Sequence, residues 1–152
     1  MNAVTPSTAN LYLVVGYDGS APATRALDAA IRLLHGRTGA IEVVYVAHLT
    51  PAEMMSADAI AQVEVSFEEV AQQLQAQAGE QLRGREDRWE FQHGQGIITD
   101  VLIRAVEKLR DAHPGDNVVI VVGSSSQAMH RIVGSVAVSL ARHAPVPLVI
   151  VP

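Results

Sequence analysis

The chain alternates between two hydrophobic patterns, and this alternation restricts its fold more than any other feature of the sequence. Short continuous apolar runs, typical of buried strands, are each followed by a stretch in which apolar residues recur every three or four positions, as in an amphipathic helix. The runs predict five strands, at residues 11–15, 41–46, 89–92, 118–122 and 147–151. Because strict alternation requires crossover connections, the predicted fold is α/β with a five-stranded parallel sheet.

The stretches between the strands predict four helices. Their apolar positions fall within residues 23–34, 60–82, 98–109 and 133–140 with helical spacing. Helices that connect parallel strands cover both faces of the sheet, which gives a three-layer, Rossmann-like sandwich. We expect residues 1–10 to form a flexible tail and residues 11–152 to form one domain. The third strand, which begins at Trp89, is the least apolar and is expected near a sheet edge.

The stretch from Gly123 to Val136 carries the strongest functional signal. It reads Gly-Ser-Ser-Ser-Gln-Ala-Met-His-Arg-Ile-Val-Gly-Ser-Val and joins a buried strand to a helix. Glycines let backbone amides approach an anion closely, and a helix N-terminus adds free N–H groups and a positive dipole end. Open parallel sheets bind ligands at the carboxyl ends of their strands, where the strand order reverses. If the first and fourth strands are neighbours, the loops after Tyr17 and Val122 meet there, which predicts a phosphate site.

Composition excludes several classes of protein. Apolar residues make up 49% of the 152 residues and charged residues 18%, which excludes a disordered chain. The net charge of −5 argues against binding to a nucleic-acid backbone. No apolar run approaches the roughly 18 residues of a membrane span. The chain has no cysteine, which excludes thiolate chemistry and fits the predicted cytoplasmic location.

Three segments of the sequence resemble the universal stress protein family. They are Val-Val-Gly-Tyr-Asp-Gly-Ser at residues 14–20, Val-Val-Tyr-Val at residues 43–46, and a C-terminal pattern at residues 123–151. That pattern reads Gly-x10-Gly-Ser-Val-Ala-x-x-Leu-Ala-Arg-His-Ala-Pro-Val-Pro-Leu-Val-Ile-Val. The resemblance covers nearly the whole chain, although residues 51–95 match only in the order of elements.

Some members of that family bind ATP and others do not, so the resemblance implies a site for ATP or another adenine nucleotide. It implies that Asp18 contacts the ribose or adenine, that the backbone of Val46 pairs with the adenine edge, and that Gly123 begins the phosphate loop. With the polar residues of the loop included, the predicted site comprises Gly16, Tyr17, Asp18, Val46, Gly123, Ser124, Ser126, Arg131, Gly134, Ser135 and Val136.

The phosphate loop departs twice from the family's ATP-binding pattern, which is Gly, two residues, Gly, nine residues, then Gly-Ser. Ser126 replaces the second glycine, and seven residues separate it from Gly134, so the loop is two residues short. A serine at a position that requires positive φ costs about 1 kcal/mol. The guanidinium of Arg131 would offset phosphate charge. Two functions stay open: an altered nucleotide site, for instance for a monophosphate or a cyclic nucleotide, and a homodimeric interaction protein that binds no nucleotide.

Several residues have competing structural interpretations. Asp18 is either a ribose acceptor or the N-cap of the first helix, and Ser135 is either a phosphate ligand or the N-cap of the fourth. His130 is more simply a solvated loop residue. Of the other histidines, none has metal-ligand spacing, and three are predicted near helix C-termini, namely His35, His113 and His143. The chain has neither a Ser-His-Asp arrangement nor a lysine-containing phosphate loop, so we predict neither an enzyme nor a metal site. Slow ATP hydrolysis is the weaker alternative, since the sequence shows no evident base or acidic metal ligands around the loop.

The last predicted strand, which begins at Pro147, is apolar and uncharged. At a sheet edge such a strand is open to pairing with another chain. The resemblance also implies a homodimer through this strand, at residues 147–151. Met54 and Met55, just before the second helix, mark a flap, a partner contact or ordinary packing. The sequence therefore predicts a binding or signalling protein with itself as one partner and a further protein partner unidentified.

Overall fold

A computed structural model describes residues 9–47, 57–124 and 134–152. These residues form strands and helices in strict alternation, with a short 3-10 turn at Glu86–Arg88. The strands are β1 (Leu11–Gly16), β2 (Gly39–Ala47), β3 (Trp89–Gln95), β4 (Asn117–Gly123) and β5 (Leu148–Val151). The helices are α1 (Ala21–Leu34), α2 (Ala57–Gln81), α3 (Ile98–Ala112) and α4 (Ser135–His143).

The strands form one parallel sheet in the order β3-β2-β1-β4-β5. This confirms the predicted α/β class and parallel sheet, and also the assumption that the first and fourth strands are neighbours. In their ladder Leu13 lies opposite Val119 and Val15 opposite Val121. The strand order reverses between β1 and β4, while β3 and β5 form the two edges.

All five strands differ from their predicted bounds by one to three residues at one or both ends, and for two of them the reason is identifiable. β5 begins at Leu148, one residue later than predicted, because Pro147 has no N–H to donate to the ladder. The Pro147 carbonyl still accepts a hydrogen bond from the Ile120 N–H at 3.0 Å. β3 extends to Gln95, three residues further than predicted, since backbone pairing with β2 continues to Ala47 although the side chains become polar. Hydropathy alone therefore underestimates the length of a polar edge strand.

Alternate residues of each central strand face different helices, which divides the core into two layers. Leu13 and Val15 of β1 pack with Leu27 of α1 on one face. On the other face Val14 packs with Leu102 of α3 and Leu140 of α4. All six are fully buried, and each such side chain contributes about 2 kcal/mol relative to an exposed one. Both faces of the sheet are therefore covered, as the continuous apolar strands predict.

The helices end as the sequence predicts. His35 follows the last residue of α1, His113 follows α3, and His143 is the last residue of α4. The ring Nδ1 of His143 lies 2.9 Å from the carbonyl oxygen of Ser139 in the last turn. Imidazoles at these ends suit the carbonyl-rich, negative pole of each helix. The sequence also offers Ser56, followed by Asp58, as the N-terminal cap of α2, and Ser56 lies outside the described residues.

Gly123 ends β4 at a point where the backbone leaves no space for a side chain. A Cβ at this position would lie 2.3 Å from the carbonyl oxygen of Pro22 in the first turn of α1. The next residue, Ser124, donates its N–H to the Val151 carbonyl at 2.8 Å, so β5 holds the strand end in place. Gly123 is therefore required for the close approach of β4 to α1, independently of any ligand.

Replacing Gly123 by alanine should destabilise the fold, because the new Cβ meets backbone that cannot move away. We expect Gly123→Ala to lower the unfolding free energy by roughly 2 kcal/mol or more in urea denaturation. Gly94→Ala is the matched control, since its Cβ would lie 3.4 Å from the flexible side chain of Val101. Equal stability losses in the two variants would contradict this account of Gly123.

Glu42 is a buried carboxyl in the middle of β2, on the face that packs against α3. Its Oε1 has no hydrogen-bond partner among the described residues. Burial, and secondly the charge of Glu90 opposite it in the ladder, raise the pKa of Glu42, while Lys108 and a hydrogen bond from Gln92 act in the opposite direction. The native state therefore favours the protonated form of this carboxyl.

The raised pKa predicts how Glu42 affects stability as pH changes. Above the pKa of the unfolded chain, native Glu42 holds its proton more tightly than unfolded Glu42, so rising pH favours unfolding until the native pKa is passed. Urea denaturation between about pH 4 and pH 8 should show that Glu42→Gln gains stability relative to the parent protein as pH rises. The exposed Glu107→Gln is the control. A Glu42→Gln difference that does not vary with pH would refute the raised pKa.

Candidate functional site

A cleft of about 360 Å³ opens at the carboxyl ends of β1 and β4, where the strand order reverses. The segments that follow Tyr17 and Val122 both contribute to its wall, so the two predicted loops meet as expected. The lining residues are Gly16, Tyr17, Asp18, Ser20, Pro22, Ala23, Val44, Val46, Ile98, Leu102, Val122, Gly123, Ser124, Gly134, Ser135, Val136 and Ala137.

The structure brings nine of the eleven predicted site residues to this cleft. The two others, Ser126 and Arg131, lie outside the described residues, as do His130, Met54 and Met55. The departures from the family loop pattern therefore concern a stretch, residues 125–133, of which nothing structural is described.

Asp18 lies at the rim of the cleft and is not the cap of α1. Ser20 is the N-cap, since its Oγ accepts a hydrogen bond from the Ala23 N–H at 3.3 Å. The Oδ1 of Asp18 accepts from the Ser20 N–H at 3.0 Å and so closes the turn around Gly19, whose φ is +77°. The cap interpretation of Asp18 is wrong because serine, two residues later, is where the helix begins. Asp18 is exposed, so its carboxylate is accessible from the cleft.

The side chain of Tyr17 belongs to the core rather than to the cleft. Its ring packs with Leu27 of α1 and Leu74 of α2, and only 3% of the residue is exposed. Its hydroxyl donates to Gln81 Oε1 at 3.5 Å, and burial is the main reason that the pKa of Tyr17 is raised. The phenol of Tyr17 therefore takes no part in chemistry at the cleft. The sequence places Tyr17 next to Asp18 but does not indicate the direction of its ring.

The backbone of Val46 lies at the cleft, beyond the last ladder pair between β1 and β2. The last ladder pair between β1 and β2 is Gly16 with Val44, and the Val44 carbonyl then accepts from the Tyr17 N–H at 2.9 Å. Backbone groups alternate in direction along a strand, so the N–H and carbonyl of Val46 point to the same side as those of Val44. Because β1 has already ended, this side of Val46 faces the cleft with a donor and an acceptor.

The N-terminus of α4 opens into the cleft without a side-chain cap. Gly134 is the N-cap, with no side-chain hydrogen bond to the first turn, and Ser135 and Val136 follow it. The interpretation of Ser135 as the cap is wrong by one residue, because Gly134 occupies the extended position before the helix. Helix starts leave several N–H groups without intrahelical partners. These groups, and the positive end of the helix dipole, are available to an anion.

A model of the universal stress protein family matches residues 12–152 of the sequence. The chain belongs to the universal stress protein family. Its sequence has no significant match among curated proteins.

Solved universal stress proteins share the fold at low sequence identity. A member from Burkholderia pseudomallei is 22% identical with a TM-score of 0.67, over 97% of this chain and 99% of that one. A universal stress protein in complex with cAMP is 21% identical, with a TM-score of 0.64 and coverage of 95% and 98%. An Arabidopsis thaliana member with AMP bound is 16% identical, with a TM-score of 0.60 and coverage of 93% and 90%.

In this universal stress protein the floor of the cleft is apolar, and sequence reasoning missed most of it. Ile98 and Leu102 of α3 lie one turn apart, and Val44 shares its strand face with Val46. The sequence pattern does indicate these residues. The apolar i, i+4 stripe of α3 begins at the first residue of the helix, and alternate residues of β2 face the same layer of the core. An apolar floor below polar backbone suits a ligand with one flat apolar part and one charged part.

Helix N-termini contribute partial positive charge to the described wall. Asp18 is the only charged side chain among the described lining residues, whereas the first turns of α1, α3 and α4 all contribute residues. Three helix N-termini in the same wall as one carboxylate favour an anion in the interior of the cleft and a hydroxyl or amine beside the carboxylate.

The described residues contain no group of three or more histidine, aspartate or glutamate side chains that could hold a metal ion. Within the same ranges, no helix combines the length and the apolar character needed to cross a membrane. The cytoplasmic location stays a prediction from the sequence.

Proposed function

We propose that the cleft binds an adenine nucleotide and that the protein acts as a nucleotide-binding or signalling module rather than as an enzyme. The observation that carries the proposal is the uncapped N-terminus of α4, which faces Asp18 in a cleft with an apolar floor. A nucleotide has a matching order of parts: a flat base, a ribose with two hydroxyls, and a phosphate.

Each part of the nucleotide has a proposed contact. The adenine edge pairs with the backbone N–H and carbonyl of Val46 that point toward the cleft, above the apolar floor. The second carboxylate oxygen of Asp18 accepts from a ribose hydroxyl, because the first oxygen already holds the Ser20 N–H. The phosphate lies at the helix end, and the residues assigned to it are Gly123, Ser124, Gly134, Ser135 and Val136. Ser126 and Arg131 remain assigned to the phosphate from the sequence alone.

The relatives support a nucleotide as the class of ligand. One family member has been solved with cAMP and another with AMP. Asp18 is the only carboxylate in the described lining, and no group of metal ligands lies in the described residues, so the described wall offers little for phosphoryl transfer. ATP, AMP and cyclic AMP are the ligands to compare, because they share adenosine and differ in phosphate charge.

Adenine nucleotides should raise the melting temperature of the protein, because a ligand that binds only the native state stabilises it by mass action. At concentrations about 100-fold above Kd the gain in unfolding free energy is about 2.7 kcal/mol. Thermal shift and isothermal titration with ATP, AMP and cyclic AMP measure this, with inosine monophosphate as the control for the adenine edge. If no adenine nucleotide has an effect at millimolar concentration, the proposal fails.

Asp18→Asn separates the ribose contact from the turn. Its amide oxygen still accepts from Ser20, while an NH₂ group replaces the oxygen that would face the ribose. We expect nucleotide affinity to fall roughly tenfold with little change in melting temperature without ligand. Asp111→Asn, an exposed change on α3, removes the same charge as a control. Affinity that is unchanged in Asp18→Asn would remove Asp18 from the site.

We also propose that the protein forms a homodimer through the strand at Pro147–Val151, and this proposal does not depend on the nucleotide. β5 is an edge strand with no charged side chain. The carbonyls of Pro147 and Val151 accept from β4, so by alternation the backbone groups of Leu148 and Ile150 point to the open edge. A two-fold partner could pair its own β5 along this edge.

Proline substitutions on β5 distinguish dimer pairing from folding. Ile150→Pro removes an N–H on the open side and should give a monomer in sedimentation velocity that still melts cooperatively. Val149→Pro removes an N–H on the β4 side and should lower the melting temperature instead. A parent protein that sediments as a monomer, or an Ile150→Pro variant that still dimerises, would contradict pairing through this edge.

A further inference from the structure

The first fourteen residues of α2 form an exposed, acidic stretch of helix. We call residues 57–70 the acidic segment. None of its described side chains is buried. Among these side chains Phe67 is half-buried and the others are exposed. The second half of the helix is different, since Ala71, Leu74, Ala78 and Leu82 next to its end all lie in the core.

Apolar residues continue along the acidic segment where no described part of the protein covers them. Ile60, Phe67 and Val70 lie on one side of the helix and lead into the buried Leu74, and we call these three residues the apolar seam. Ile60 is 41% exposed and Val70 is 39% exposed. Phe67 is held from one side, stacked on Tyr45 at 5.7 Å and edge-on to His93 at 5.0 Å. The seam continues the buried stripe of α2 toward the N-terminus of the helix.

The formally charged side chains of the acidic segment are all carboxylates, and one of them, Glu68, also lies near an imidazole, with its Oε1 3.9 Å from Nε2 of His93. Between Arg37 and Arg83 the chain has no lysine or arginine but carries seven carboxyl side chains, and four of these lie in the acidic segment: Asp58, Glu64, Glu68 and Glu69. All eleven basic residues and the other nine carboxyls lie elsewhere, so this part of the chain accounts for the negative net charge. Glu64 and Glu68 are one turn apart along the margin of the seam, where like charges destabilise a helix.

The charge pattern distinguishes two possible binding partners for this surface, a second copy of the chain and a basic helix of another protein. A second copy of the same face would bring carboxylates against carboxylates, which costs free energy. A helix with basic residues beside its own apolar stripe would cover the seam and neutralise its margin. Such a helix needs about 14 residues, or roughly 21 Å, to match the acidic segment. Spacing of i, i+4 for its basic residues would match that of Glu64 and Glu68.

We propose that the acidic segment of α2 is a docking surface for a basic amphipathic helix of a partner protein, held by the apolar seam and by Glu64 and Glu68. The surface is separate from the cleft, since none of these residues lines it. It gives a binding role to a part of the chain that the nucleotide site does not use.

The test uses a synthetic peptide as the probe. A fluorescein-labelled amphipathic helix of about 18 residues, with leucine on one face and lysine on its margins, is titrated with the full chain in fluorescence anisotropy. The controls are the same peptide with glutamate for lysine, and a scrambled lysine peptide without an apolar face. We expect the basic amphipathic peptide to bind at least about tenfold more tightly than either control, with an affinity that falls as salt increases.

Two pairs of variants locate the peptide. Ile60→Ser with Val70→Ser should weaken binding about tenfold, whereas Leu33→Ser with Val138→Ser, at matching exposures of 41% and 39%, should not. Glu64→Gln with Glu68→Gln should weaken binding and reduce its salt dependence. Glu107→Gln with Asp111→Asn removes the same charge from α3 and should have no such effect. The seam is exposed, so its variants should melt close to the parent protein.

Three outcomes would overturn the proposal. Equal binding of the basic and acidic peptides would contradict the role of charge. Equal losses of peptide affinity in the seam variant and in its exposure-matched control would show that the peptide does not bind at the seam. A self-association in sedimentation velocity that Ile60→Ser with Val70→Ser abolishes would assign the seam to a second copy of the chain instead.

Discussion

The parallel pairing of β1 with β4 is the contact on which the rest of this structure depends. The chain leaves β1 toward β2 and β3 on one side, and returns to β4 and β5 on the other. The connections that follow these two strands therefore diverge, and neither crosses the gap between them. The cleft is this gap, bounded by the first turns of α1 and α4. Its position follows from the topology before any side chain is considered.

Closing the two halves of the sheet this tightly requires a glycine at the end of β4. Gly123 lies so close to the Pro22 carbonyl that no Cβ fits, whereas a Cβ on Gly16 would only make ordinary contacts with Val122 and Leu102, at 3.4 and 3.5 Å. Gly123 also lines the cleft, so a substitution there changes folding and ligand access together. Asp18 differs, because it is exposed and acts on its surroundings through one hydrogen bond in a turn. Stability and binding can therefore be separated at Asp18 and not at Gly123.

The order of elements, the parallel sheet and the meeting of the two loops were predictable because they rest on hydrophobic period and topology, which the sequence expresses directly. The details that failed depend on local backbone direction. Tyr17 precedes Asp18 in the sequence, yet its ring turns into the layer below α2, since successive residues at a strand end face opposite ways. The cap of α4 is Gly134 rather than Ser135. The cap is the last residue before the helical backbone begins, and the position of that boundary depends on how the preceding chain approaches the helix. No residue preference distinguishes glycine from serine strongly enough at such a position.

The distribution of charge gives the two proposed surfaces opposite character. The cleft draws its potential from helix N-termini, whose effect fades beyond one turn of helix, and so it can attract an anion locally in an acidic protein. The acidic segment of α2 carries full charges on an exposed helix, whose field extends over a Debye length of about 8 Å at physiological ionic strength. A nucleotide at the helix ends and a cationic helix on α2 would therefore each meet a complementary field with limited interference. One fold of this size can carry both, because the strand order fixes the cleft at the centre of the sheet while the acidic segment contributes no residue to it.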